Sequence, residues 1–191
     1  MNSADTFAPG NAGWLKTYAF LRFGFSAAWV AAAFLLAPLN PAISAVLLVI
    51  YPAWDAVANF VDAQRNGGLA RNASHLLNVV VSAITTFAVV VALGQGMAAV
   101  VVVFGVWAIL SGVLQLVTAV RRWASGGQWA MVLSGAQSAL AGGFFVFSAG
   151  TMPNPGIALI AGYAAFGAVY FLVTAVWLSL RKARVAGSAV R

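Results

Sequence analysis

Tyr51, Asp55, Asn59 and Asp62 fall at i, i+4, i+8 and i+11, the spacing that lines polar side chains along one face of a helix. Two of the four are acids, and Asp55 sits among Pro52, Ala53, Trp54, Ala56 and Val57. An unpaired carboxylate in such surroundings is costly, so Asp55 has to be paired, protonated or in contact with water. Arg22 lies inside the preceding apolar segment and offers the opposite charge. One expectation is an Arg22–Asp55 or Arg22–Asp62 pair that fixes the first apolar helix against the second. The functional alternative is a titrating or solute-contacting carboxylate in a cleft open to one side. A third places Asp55 against a partner protein. The candidate polar interior is Asp55, Arg22, Asn59, Asn78, Asp62 and Gln115.

Other chemistry is scarce. With no cysteine, thiol catalysis, disulfides and iron–sulfur clusters are excluded. One histidine and three acids leave too few ligands for an ordinary zinc or calcium site. No phosphate loop, nucleophile elbow, paired catalytic carboxylates or aromatic–basic nucleic-acid face is present, so no catalytic residue, metal or cofactor is assigned and an enzyme is not expected. His75 reads either as an interfacial residue without a role or as a pH sensor, for which its neighbours in sequence give no support. Asn78 and Gln115 also fit interhelical hydrogen bonding.

The elements that must position these residues are apolar. Of 191 residues, 63% are hydrophobic and 7% charged, with a mean hydropathy of +0.95. Soluble domains carry about a quarter charged residues, so this composition implies an integral membrane protein with the lipid bilayer as its surroundings. Six apolar segments are each long enough to span a hydrocarbon core of about 30 Å. They pair as hairpins at 16–65, 72–121 and 128–181. Residues 1–13 read as a flexible cytoplasmic tail, 14–181 as the transmembrane domain and 182–191 as a basic cytoplasmic tail.

The turns at 38–41, 94–96 and 151–155 carry no Lys or Arg, and all ten basic residues lie at or near the other end of the spans. By the positive-inside rule both termini are cytoplasmic. The net charge of +7 is thus read as topology, not as a nucleic-acid signal. Asp55 then lies roughly 13 Å from the cytoplasmic end of its helix at 1.5 Å per residue. Leu116–Val120 returns unchanged at Leu172–Val176, 56 residues later. Ser26, Ser82 and Ser138 share that period, as do Val57, Val113 and Val169. The expected fold is all-α: six transmembrane helices as three repeated hairpins in a pseudo-threefold bundle about the membrane normal. Ser134, Ser138 and Gly142 form a small-residue ridge on helix five. Such a ridge serves packing within the chain or, as the alternative, self-association or contact with other membrane proteins.

The phrase Trp107-Ala108-Ile109-Leu110-Ser111-Gly112, running on into Arg121-Arg122, and Trp129 followed by Gly135 and Gly142-Gly143 resemble the HdeD family of bacterial acid-resistance membrane proteins. The first hairpin departs from that pattern, with Asp55-Ala56 where Asp-Gly is typical and Arg22 inside helix one. The resemblance implies a multi-pass bacterial inner-membrane protein linked to acid or envelope stress, and it carries no catalytic or binding residues with it. Two functions are therefore expected. One is a stress-type membrane protein with a cytoplasm-facing polar cleft for protons or a small solute. The other is a non-catalytic structural or assembly subunit that docks against other membrane proteins.

Overall fold

A computed structural model describes residues 9–121, 123 and 128–188. The described residues form α1 (Pro9–Leu35), α2 (Pro41–Arg65), α3 (Ala73–Leu93), α4 (Met97–Arg121), α5 (Trp129–Ser148) and α6 (Ile157–Ser188), with short 3-10 turns at Ala37–Leu39 and Leu69–Arg71. All six are long and apolar enough to cross a membrane, and no strand occurs among the described residues. The described residues are all-helical, and the chain is a multi-pass membrane protein.

Local chemistry sets the helix ends. Asn40 caps α2 by accepting the Ala42 amide at 2.8 Å, and Pro41 follows at the first helical position, where a missing N–H costs nothing. At the far end the Gly68 amide returns to the Ala63 carbonyl at 2.8 Å. Gly67 and Gly68 hold φ of +94° and +89° there, a conformation that side chains with a Cβ rarely adopt. Pro52 inside α2 removes the amide that would bond Leu48. One residue earlier, the Leu47 carbonyl accepts the Trp29 indole N–H at 2.7 Å, so a neighbouring helix supplies a donor beside the gap.

Both ends of the helical region differ from the sequence expectation. α1 begins at Pro9, so 9–13 are helical where a loose tail was expected; 1–8 lie outside the described residues. Extending an existing helix adds a hydrogen bond per residue without a new nucleus, which favours this continuation. α6 likewise runs to Ser188, through most of the expected basic tail, where Arg181, Lys182, Ala183 and Arg184 are good helix formers. Arg122 and Arg191 lie outside the described residues.

The tightest packings are α4 on α5, α1 on α6 and α2 on α3, followed by α3 on α4. α1 and α2, like α5 and α6, touch much less, although short turns join them. The dry core occupies the half nearest the uncharged turns. Leu48, Phe104 and Ile160, at 56-residue intervals, are fully buried there beside Ala33, Val89 and Phe145, which share that interval. Large apolar residues such as Phe87, Leu140 and Phe147 face outward, as lipid-facing positions do. The half nearer the basic residues holds the polar side chains.

Candidate functional site

Asp55 of α2 forms an ion pair with Arg22 of α1, with side chains only 13% and 14% exposed. The second carboxylate oxygen accepts the Ser82 hydroxyl of α3 at 2.7 Å and the Asn59 amide at 3.0 Å. The same Asn59 nitrogen donates to the Asp55 backbone carbonyl at 2.8 Å, so one helical turn positions it. Ser82, donating to Asp55, accepts from the Trp107 indole N–H of α4 at 3.1 Å. The guanidinium carbon of Arg22 stands 4.7 Å from the Phe171 ring centre of α6 and 5.9 Å from that of Tyr18. Three helices therefore meet at the carboxylate, and α4 and α6 contact its partners Ser82 and Arg22. Every side-chain contact to it is a donor, the arrangement an ionised acid requires, since it can only accept. A buried ion pair holds when further hydrogen bonds satisfy the remaining lone pairs, as Ser82 and Asn59 do here.

Between the two expected pairs, the structure selects Arg22 with Asp55. Asp62 belongs to a separate cluster at the end of α2. Its Oδ1 accepts the Trp14 indole N–H at 2.7 Å and the Asn66 amide at 2.9 Å. His75 Nε2 of α3 lies 3.5 Å from its Oδ2. The Arg65 guanidinium stacks over Trp14, 4.4 Å from its ring centre. His75, which has no supporting neighbour in sequence, thus faces a carboxylate in space.

Asn78 does not join the Asp55 cluster: its amide donates to the Ser74 carbonyl on its own helix at 3.0 Å. Gln115 lies in the α4–α5 seam and accepts the Ser134 hydroxyl at 3.4 Å. Thr118 and Ser74 approach to 3.4 Å between α4 and α3. Ser82, Trp107, Trp14 and Asn66 were not among the candidate site residues. The one sequence signal for Ser82 is the recurrence of Ser26, Ser82 and Ser138. Trp107 bonds Ser82 and Tyr163 donates to Ser138 at 2.9 Å, and Tyr51 and Ser26 hold the same positions in the first hairpin. Each aromatic follows its serine by 25 residues.

The ridge on helix five packs within the chain, the first of its two expected roles. Ser134 bonds Gln115 and Ser138 bonds Tyr163. A Cβ on Gly142 would collide with the Gly105 carbonyl, and one on Gly135 would come within 2.8 Å of the Gly112 carbonyl. Small residues permit this close approach, and α4 of the preceding hairpin takes it up.

Residues 77–147 match the family model described as a short repeat of unknown function, DUF308. No curated protein and no solved structure matches the chain. The matched stretch runs from α3 through α4 into α5. It contains Ser82, Trp107 and the Gly105, Gly112, Gly135 and Gly142 seam, whereas Arg22 and Asp55 lie outside it.

Proposed function

We propose that this chain is a bacterial inner-membrane protein of the acid- or envelope-stress type that acts without catalysis, as a structural or assembly component, with both termini in the cytoplasm. The observation that carries this reading is the saturation of Asp55 by Arg22, Ser82 and Asn59. A carboxylate held at once by donors from α1, α2 and α3 is well suited to locking helices together. The resemblance to the HdeD family supports the stress association.

The second reading keeps a cytoplasm-facing cleft for protons or a small solute, and the Asp62–His75 approach at the basic end favours it. One variant separates the two. Under the structural reading, Asp55→Asn keeps a hydrogen bond, folds, and protects cells at low pH as the parent does. A folded Asp55→Asn protein that loses protection would sink the structural reading and favour the cleft. Single cysteines at Asn40, Gln95 and Asn154 should react with an impermeant label from outside the cell, and one at Gly67 should not. The reverse pattern would overturn the orientation.

The three-hairpin repeat and its pseudo-threefold arrangement belong to the same proposal. Three things support them: matching burial at 56-residue intervals, the recurring aromatic–serine contact, and the packing of each even helix on the next odd one, with α6 returning to α1. Trp107→Tyr copies the residues at 51 and 163, so it should retain about 1 kcal/mol more stability than Trp107→Phe. Equal losses would count against the equivalence.

A further inference from the structure

We infer that the cleft between α1 and α2 is a binding site for an anionic diacyl phospholipid. α1 and α2 are joined by a short turn but pack loosely, and between them lies a cleft of about 80 Å³ lined by Trp14, Tyr18, Leu21, Arg22, Trp54 and Val57. Its accessible wall is entirely apolar. Leu21 and Val57 on its rim are about half exposed, so the cleft opens sideways, toward the hydrocarbon of a surrounding bilayer. That is the setting of an acyl chain.

Charge selects the lipid class. Lys16 and Arg65 stand at the basic end of the same two helices, with Arg65 over Trp14 at the mouth of the cleft. Lys16 precedes Arg22 by six residues, so the mouth lies roughly 9 Å nearer the membrane surface at 1.5 Å per residue. Basic pockets between transmembrane helices at this level attract anionic head groups. A head group on Lys16 and Arg65 and a chain past Leu21 and Val57 account together for the loose packing of the two helices, the apolar wall and the basic end.

The test is native mass spectrometry of the full chain, purified in mild detergent and exposed to equal amounts of phosphatidylglycerol and phosphatidylcholine. The expected result is retention of one phosphatidylglycerol in several-fold preference over phosphatidylcholine. The double variant Lys16→Gln/Arg65→Gln should weaken that retention about tenfold to thirtyfold, while Lys16→Arg/Arg65→Lys should keep it. Val57→Trp, which fills the cleft from its rim and leaves both cations in place, should also abolish it. Thermal unfolding of each variant establishes that it is folded. Equal retention of the two lipids by the parent would overturn the proposal. So would undiminished phosphatidylglycerol binding by folded Val57→Trp, which would reduce the effect to general surface attraction.

Discussion

Helices α4 and α5 meet backbone to backbone, whereas α1 and α2 meet only through long side chains. In the first seam Gly105, Gly112, Gly135 and Gly142 stand where a Cβ would run into the backbone of the facing helix. In the second, Arg22–Asp55, Trp14–Asp62, the Trp29–Leu47 bond and the Phe25–Trp54 stack, with ring centres 4.4 Å apart, bridge a wider gap. Lipid gives little hydrophobic drive for two helices to associate, so each seam needs another source of attraction. The glycine seam gains it from close packing and is vulnerable to added bulk. The polar seam gains it from directed bonds and is vulnerable to a lost partner.

The largest effect should come from stranding a charge. Asp55→Leu leaves Arg22 buried without its carboxylate and should destabilise by about 3–5 kcal/mol, measured by unfolding in mixed micelles. Asp55→Asn, which keeps the shape and can still bond Ser82, should lose clearly less. If the two variants lose the same amount, the hydrogen bonds to Ser82 and Asn59 contribute nothing and the lost charge accounts for the whole effect.

Bulk in the other seam comes next. A Cβ on Gly112 would lie 2.5 Å from the Gly135 carbonyl and 2.7 Å from the Ala139 amide, both backbone atoms that cannot turn aside. Gly112→Leu should therefore cost about 3 kcal/mol or more. Little change on thermal unfolding would mean that α4 and α5 are not in contact as described.

Ser82→Ala should follow, at about 1–3 kcal/mol, because it removes a donor from Asp55 and leaves the Trp107 N–H without its acceptor. Combined with Asp55→Asn, the losses should fall short of additivity, since both act on one network. Strict additivity in the double-mutant cycle would separate Ser82 from the Asp55 cluster.

The smallest effect has the opposite sign. Gly143, next to Gly142 in sequence, has nothing within 4 Å of the position a Cβ would take. Gly143→Ala should be neutral or stabilising by up to ~1 kcal/mol, because glycine is the poorer helix former. Gly142→Ala should be clearly destabilising. If the neighbours respond alike, close approach is not what the glycines provide.

Much of the fold was legible in composition and period. Six spans follow from runs of apolar residues longer than a bilayer requires, and the turns follow from Asn40-Pro41 and Gly94-Gln95-Gly96. The face Tyr51–Asp55–Asn59–Asp62 was legible too, because helical periodicity is local. It could not reveal that the face divides into two clusters, since that depends on which helix stands opposite each turn. Arg22 could have reached either acid, and His75 had no visible partner until α3 was set beside α2. The ridge on α5 was visible as small residues, but its occupant was not.

Sequence by itself determined that this chain lives in a membrane, how many times it can cross and which residues are too costly to leave facing lipid. Those properties depend on the transfer of each segment from water, and a segment carries them wherever it packs. Only the tertiary structure decided that Asp55 takes Arg22 while Asp62 takes Trp14, and that α5 spends its glycines on α4. Those outcomes rest on contacts between residues far apart in the chain, among donors and acceptors whose types are interchangeable in sequence and whose distances are not.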